Sequence, residues 1–348
     1  MFVYWLLFGY FALGSLSGQQ LFSSPRLTPG MLVGAFLLIV MIGFRFEVGA
    51  DWIAYKGIFS YASLATFGET IRLGDPAYQV VNWSVAAMGL EFWVVNFVCA
   101  AVFVYGLVRL ANVQPSPFLA IVVAVPYLVI VVSMGYTRQA AAIGMVMAGL
   151  ATIDKGGSAM RFAGYITLAA LFHKTAVVVL PLVIFSGRHN KVLNLIAGVA
   201  LTYWLYSLVL SDTMDTFTKN YLERGYNSQG AAIRVGMSIL PAVLFFAIGK
   251  RLMFTKDQAV IWRTFSIVAF ALAVGLFVSP STTAIDRIAL YVIPLQIVVL
   301  SRAFWLFDNQ SQGRFAVVAY SAIIQFTWLN FATHAKYWVP YQFYPINL

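Results

Sequence analysis

Apolar runs long enough to cross a lipid bilayer recur along the whole of this 348-residue chain. Hydrophobic residues make up 61% of the sequence and charged residues only 10%, whereas ordinary soluble domains carry about 25% charged residues. A run of roughly 20 apolar residues crosses the hydrocarbon core as a helix, because a helix satisfies its own backbone hydrogen bonds. We therefore predict an all-α, polytopic integral membrane protein that forms a single domain over residues 1–348.

The apolar runs predict about ten transmembrane helices. They are Phe2–Leu16, Met31–Phe46, Phe92–Leu110, Phe118–Met134, Gln139–Ile153, Val192–Leu210, Val235–Gly249, Thr264–Ser279, Arg287–Ser301 and Phe315–Phe331. The segment Pro76–Gly89 is shorter and more polar, so we expect an interfacial amphipathic helix there, within an outer loop of residues 45–91. A second outer loop is expected over residues 211–234.

His173 and Lys174 lie in the middle of the otherwise uncharged run Phe162–Phe185. A lysine at bilayer depth costs roughly 2.5–3.5 kcal/mol or more, so such residues face water, a ligand or a partner charge. The run either spans the membrane beside a polar cavity or turns back at the His-Lys pair as a re-entrant helical hairpin. We favour the hairpin because it places most basic loop residues on the cytoplasmic side, as the positive-inside rule requires.

Asp51 and His173 are the candidate groups for proton transfer on the outer side. Asp51 follows Gly49, which allows a tight backbone approach, and either side chain could accept the proton of an attacking hydroxyl. The alternatives are a solvated acid that caps the next helix and, for His173, a structural polar contact. Asp75 precedes Pro76 and is interpreted mainly as a helix N-cap.

Arg138 and Gln139 open an apolar helix, where the helix dipole disfavours a positive charge. A bound phosphate would explain this placement, because backbone amides and a guanidinium together suit an anion. The alternative is an arginine that snorkels to the interface. Asp286 and Arg287 form either a local ion pair or, opposite Arg138, a second guanidinium for a diphosphate.

Several function classes lack their sequence signals. The chain has no Gly-rich phosphate loop, no Ser or Cys nucleophile motif and no DxD-like signature of nucleotide-sugar transfer. Its histidines lack the spacing of zinc ligands, and its single cysteine, Cys99, indicates no disulfide framework. We attribute the net charge of +10 to anchoring at an anionic leaflet and not to nucleic acid. Neither a metal nor a cofactor is expected.

Six short motifs occur in a fixed order along the chain. They are Arg45 with the segment GADWIAY, Asp75-Pro76-Ala77-Tyr78, Arg138-Gln139-Ala140, Phe172-His173-Lys174-Thr175, Arg287 with Tyr291, and Trp338-Val339-Pro340-Tyr341. In order, spacing and shared membrane face, this set resembles the EpsG family, a group of Wzy-type bacterial polysaccharide polymerases and relatives. Trp52 stands where that family often has Tyr, and Asp75 where it often has Glu.

The resemblance implies a GT-C-like glycosyltransferase in the bacterial inner (cytoplasmic) membrane, with its active site facing the periplasm. Such an enzyme would join oligosaccharide repeat units carried on undecaprenyl diphosphate into exopolysaccharide, capsule or O-antigen. Direct attack of a sugar hydroxyl on the anomeric carbon would invert its configuration and would need no metal if arginines stabilise the leaving diphosphate. A chain-length regulator and export machinery are the implied protein partners.

The resemblance also implies roles for individual residues. Arg138 and Arg287 would bind the diphosphate, and Asp51 or His173 would be the catalytic base or the group that positions the acceptor. The remaining substrate-binding candidates are Arg45, Gln139, Lys174, Tyr291 and Tyr341.

Two other readings remain open at the level of sequence. A ligase would move finished glycan from the same lipid carrier to another acceptor, and a transporter would bind the lipid-linked sugar without chemistry. A membrane acyltransferase is less favoured, because His173 has no recognisable partner motif.

Overall fold

The computed structural model describes residues 1–17, 27–154, 156–184, 230–279 and 282–346. Regular structure in this part of the chain is helical, with no strand, which confirms the predicted all-α class. The predicted span Val192–Leu210 and most of the predicted loop 211–234 lie outside the described residues.

Local sequence signals mark several helix boundaries. Thr255 and Gln258 form a capping box, in which each side chain accepts a hydrogen bond from the other residue's backbone N–H, and Thr66 with Glu69 forms another. The described helices are Phe2–Leu16, Pro29–Gly43, Trp52–Ala62, Phe67–Arg72, Pro76–Ala87, Phe92–Ala111, Pro117–Ala124 (continued by a π-helix, Val125–Ser133), Thr137–Asp154, Ala159–Phe172, Val179–Ile184, Ala231–Ile248, Lys256–Val278, Thr282–Ala289, Pro294–Leu300 and Gln310–Phe331.

Three of the described helices are long and apolar enough to cross a membrane by themselves. They are Phe92–Ala111, Ala231–Leu252 and Lys256–Val278, and a bent pair of helices would make a fourth span. The apolar helices Phe2–Leu16 and Pro29–Gly43 are shorter. The chain is therefore a membrane protein with several apolar helices, and the number of ten spans stays a prediction.

The span predicted over Arg287–Ser301 is a bent pair of helices and not one straight helix. The chain forms Thr282–Ala289, then a turn, and then Pro294–Leu306, and the two parts meet at 47°. Pro294 sits at the first turn of the second part, and a proline has no N–H to continue a helix and clashes with the carbonyl four residues earlier. The first helix therefore ends at Ala289, soon after the charged residues Asp286 and Arg287.

The His173 segment changes direction as the hairpin interpretation requires. The helix Ala159–Phe172 ends at His173, whose backbone is extended (φ −158°, ψ 116°). A 3₁₀ helix, Lys174–Val178, follows, and Val179–Ile184 packs back against Ala159–Phe172. His173 and Lys174 therefore lie at the turn of this segment, which we call the re-entrant segment after its predicted topology; that topology stays a prediction.

A close backbone crossing fixes the helix Thr137–Asp154 at the centre of the molecule. A Cβ atom placed on Gly106 would lie 1.7 Å from the carbonyl oxygen of Gly144, so these two positions accept only glycine. Small residues let membrane helices approach in this way. Nearly all of Thr137–Asp154 is buried, which puts the start of this helix inside the protein.

The side chains of Trp338 and Tyr341 attach the C-terminal segment to the rest of the protein. Trp338 is 2% exposed and donates from its indole nitrogen to the Ile130 carbonyl, at 2.8 Å. Tyr341 donates to the Met41 carbonyl at 2.7 Å, and the backbone of Gln342 pairs with that of Phe46. The tail therefore packs beside the loop after Pro29–Gly43.

Arg45 is a buried structural arginine, 1% exposed. Its guanidinium donates to the Ile42 carbonyl at 2.6 Å, to Asn96 Oδ1 at 2.9 Å and to Thr137 Oγ1 at 2.7 Å. These contacts occupy the donors that a substrate phosphate would need. The assignment of Arg45 as a substrate contact is therefore corrected: it joins three helices.

We predict that Arg45→Ala lowers the free energy of unfolding by about 3 kcal/mol, because buried acceptors lose a charged donor. Cys99, the single cysteine of the chain, is 2% exposed, so its reaction with a thiol-specific dye reports unfolding in detergent. The exposed Arg72→Ala is the matched control and should leave the midpoint unchanged. An unchanged midpoint in Arg45→Ala would contradict this structural role.

Candidate functional site

A polar cavity of about 340 Å³ lies where the helix Thr137–Asp154 begins, beside the turn of the re-entrant segment. Tyrosine, arginine, aspartate and histidine side chains surround it, which is unusual inside a bundle of apolar helices. The lining residues are Asp51, Tyr55, Tyr136, Arg138, Gln139, His173, Arg234, Thr283, Asp286, Arg287 and Leu290.

The carboxylate of Asp75 organises one wall of this cavity. Its Oδ2 atom lies 2.9 Å from Arg138 Nη1 and 3.2 Å from His173 Nδ1, and its Oδ1 atom accepts the backbone N–H of Lys174 at 3.1 Å. Burial alone would raise the pKa of Asp75, but the hydrogen bond from His173 and the charge of Arg138 outweigh it, so the pKa lies below its ordinary value. Asp75 is therefore ionised at neutral pH.

The interpretation of Asp75 mainly as a helix N-cap missed this arrangement. Asp75 does occupy the N-cap position of Pro76–Ala87, but its side chain makes no cap hydrogen bond. It turns instead toward Arg138, which lies 63 positions later in the chain. The sequence signal that could have found it is the presence of a lone acid beside an interfacial helix in a chain with few acidic residues.

Arg138 stands in the first turn of Thr137–Asp154, as the sequence indicated. The carboxylate of Asp75 offsets the unfavourable helix dipole there. The guanidinium carbon also lies 5.7 Å from the ring centre of Tyr55 and 5.9 Å from that of Tyr78. Because 32% of the Arg138 side chain remains exposed, the residue can still meet a ligand in the cavity.

A second ion pair, between Arg234 and Asp286, forms the opposite wall. Arg234 also donates to the hydroxyl groups of Tyr127 and Tyr136, the latter at 2.9 Å. The sequence did not indicate this pairing of Asp286 with Arg234. Arg234 was expected at the end of the outer loop 211–234, and it lies in the helix Ala231–Ile248. An arginine within an apolar run was the signal that could have found it.

Asp51 and Arg287 complete the cavity. Gly49 has φ +109°, and a Cβ atom there would lie 2.2 Å from the Met134 carbonyl oxygen, which confirms the predicted tight approach. Asp51 follows in this loop and makes no side-chain cap bond. Burial raises the pKa of Asp51, against the lowering effect of Arg138 and Arg287. Both arginines are thus close enough to influence its charge.

The family model of EpsG matches residues 31–343 of the chain, a range that contains all the residues lining the cavity. The chain belongs to the EpsG family. EpsG is a Wzy-type polymerase-like family, so membership indicates a membrane protein of polysaccharide synthesis. No curated protein and no solved structure matches the chain significantly.

This EpsG family member brings five of the nine predicted site residues to one cavity: Asp51, Arg138, Gln139, His173 and Arg287. The amide of Gln139 donates to the Arg287 carbonyl at 3.1 Å and so joins two of the walls. The other predicted residues lie behind the lining or away from it: Arg45, Lys174, Tyr291 and Tyr341.

Tyr291 and Lys174 support the site from behind. Tyr291 is 1% exposed and its hydroxyl lies 3.2 Å from Thr175 Oγ1, so it braces the turn of the re-entrant segment. Lys174 supplies its backbone N–H to Asp75. Tyr341 lines a separate apolar groove next to Phe2–Leu16.

A double-mutant cycle tests whether Asp75 and Arg138 stabilise one another. Asp75→Ala should lower the free energy of unfolding by about 2 kcal/mol, because it leaves buried donors unpaired. With Arg138→Ala added, we expect a coupling energy of about 1–2 kcal/mol, measured by the exposure of Cys99 during unfolding. Asp75→Ala combined with the distant Arg161→Ala should be additive. Equal coupling energies for Asp75 with Arg138 and for Asp75 with Arg161 would contradict the ion pair between Asp75 and Arg138.

Proposed function

We propose that the chain polymerises oligosaccharide repeat units carried on undecaprenyl diphosphate, as an inverting, metal-independent glycosyltransferase. The observation that carries this proposal is the cavity itself, in which Arg138, Arg234 and Arg287 face Asp51 and His173. Arginines suit a diphosphate, and an acid and an imidazole suit sugar hydroxyls. Membership of the EpsG family points to the same class of reaction.

Arg138 and Arg287 bind the diphosphate in this proposal. As the bond between the anomeric carbon and the diphosphate oxygen breaks, negative charge grows on the leaving group. Guanidinium groups already in place stabilise that charge without reorganising. Arg234 already binds Asp286 and two tyrosine hydroxyls, so we assign it a structural role in the cavity wall.

His173 is the proposed base, and Asp75 is its positioning residue. An ionised carboxylate only accepts hydrogen bonds, so His173 Nδ1 carries the proton that Asp75 holds at 3.2 Å. That tautomer leaves Nε2 with a lone pair for a hydroxyl. The acceptor oxygen attacks the anomeric carbon, its proton passes to Nε2, and the electron pair of the broken bond leaves with the diphosphate.

Asp51 is assigned to positioning the acceptor. It lines the same cavity as His173 and both diphosphate-binding arginines. The role of base goes to His173, because Asp75 orients the ring of that residue. A carboxylate at Asp51 would instead accept hydrogen bonds from sugar hydroxyls and fix their orientation.

The distribution of charge supports an outward-facing site in the bacterial inner membrane. Arg234 is at the cavity, and Lys250 and Arg251 follow the same helix at its other end. The 16 positions between Arg234 and Lys250 correspond to about 24 Å of helix, close to a membrane thickness. The positive-inside rule puts the Lys250 end in the cytoplasm and the cavity outside, where a chain-length regulator and export machinery would act.

Purified protein given a lipid-linked repeat unit in the presence of a chelator should produce a ladder of products on a gel. We predict that Arg138→Ala reduces the rate by about 10²–10³-fold, because stabilisation of the leaving group is lost. The exposed Arg161→Ala is the control and should keep the ladder. A single unit added to a foreign acceptor would indicate a ligase, and binding without product would indicate a transporter.

Substitutions of the two proton-transfer candidates, His173 and Asp51, should affect different kinetic constants. His173→Gln should lower kcat by about 10²–10⁴-fold, the usual share of a general base. Asp51→Asn should mainly raise KM. In the unsubstituted protein, KM should rise as the pH falls through the pKa of Asp51, which lies above the ordinary value of about 3.9, and Asp51→Asn should remove this dependence. The opposite division of kcat and KM effects would exchange the two roles.

A further inference from the structure

A second cavity, the basic groove, lies at the turn between the helices Ala231–Ile248 and Lys256–Val278. Its volume is about 780 Å³, and Phe245, Phe246 and Phe254 contribute apolar walls. None of the described residues that line it is acidic. Its four cationic lining residues are Lys250, Arg251, Lys256 and Arg263.

The turn that forms the basic groove is held from behind by a buried arginine. Arg302 is 3% exposed and donates to the Met253 carbonyl at 3.3 Å. Its guanidinium carbon lies 4.4 Å from the ring centre of Phe254. Met253 adopts a left-handed backbone (φ 55°), and the capping box at Thr255 starts the next helix at once. The groove is therefore formed before any ligand binds.

Exposed apolar side chains continue from the basic groove along both helices. Phe246 is 47% exposed beside the groove. Further along the two helices, the exposed apolar residues are Val243, Ile267, Phe270 and Val274. Cations at the end of a span and an apolar surface below them match a phospholipid, whose phosphate lies at the interface and whose chains lie in the hydrocarbon. A free phosphate would use only the cations.

We propose that the basic groove binds the phosphate headgroup of an anionic phospholipid, with its acyl chains against the exposed apolar surface. Charge complementarity selects an anionic over a zwitterionic lipid, since each lysine or arginine near such a surface strengthens binding. The groove lies about 24 Å of helix away from Arg234, so this site is separate from the polar cavity. It does not depend on the reaction proposed there.

Native mass spectrometry of the full chain with added phosphatidylglycerol or phosphatidylcholine tests the proposal. The protein should retain phosphatidylglycerol, and the double variant Lys250→Gln, Arg251→Gln should bind it roughly 10–30-fold more weakly. Lys56→Gln, Arg72→Gln is the matched control, because it removes two exposed cations far from the groove and should bind as the unsubstituted protein does. The unfolding midpoint in lipid-free detergent, read from Cys99, should be the same for all three proteins.

Three results would overturn the proposal. If the groove and control variants lost equal affinity for phosphatidylglycerol, the lipid would be attracted by the net charge of the protein and not by a specific site. Equal retention of phosphatidylcholine would remove the role of the cations. Equal thermal stabilisation by glycerol 3-phosphate and by phosphatidylglycerol would show that the apolar walls take no part and that the ligand is a phosphate alone.

Discussion

One buried carboxylate, that of Asp75, holds the candidate site together. It contacts the side chains of Arg138 and His173 and the backbone of Lys174, so it joins the helix Pro76–Ala87, the central helix Thr137–Asp154 and the re-entrant turn. A buried charge is costly unless it is paired and hydrogen-bonded. The shared partner therefore stabilises these three elements in this arrangement and holds the arginine and the histidine next to one another.

Acidic residues pair with two of the arginines at the cavity, but the two pairs differ in how much of the guanidinium they occupy. Arg234 has Asp286 and two tyrosine hydroxyls around its guanidinium, whereas Arg138 pairs through one nitrogen and keeps 32% of its side chain exposed. Arg234, whose donors are occupied, therefore has a structural role. Arg138 is partly exposed and can replace bound water with a phosphate oxygen. Because the acids hold the arginines in place beforehand, a diphosphate would find its donors already oriented.

The sequence predicted what depends on neighbouring residues and missed what depends on distant ones. Apolar runs, the turn at His173 and the tight approach at Gly49 follow from local pattern. The partner of Asp75 does not, because Asp-Pro also has the local pattern of an N-cap, and Arg138 lies 63 positions away. The contact between Asp286 and Arg234 is hidden for the same reason, because 52 positions separate the two residues. Burial is equally invisible in the sequence, which is why Arg45 was expected to meet substrate.

Arg45 shows how a residue can belong to a family's motif set without touching the cavity. Its guanidinium donates to Thr137 Oγ1, and Thr137 is the residue before Arg138. The same group holds Ile42 and Asn96, and the C-terminal segment pairs with the loop that follows it. The start of the central helix is thus fixed from one side by Arg45, and the Gly106–Gly144 crossing fixes its middle. A displacement of about 1 Å can cost a catalyst a hundredfold in rate, so a buried arginine that sets the position of its neighbour can matter as much as one that meets the substrate.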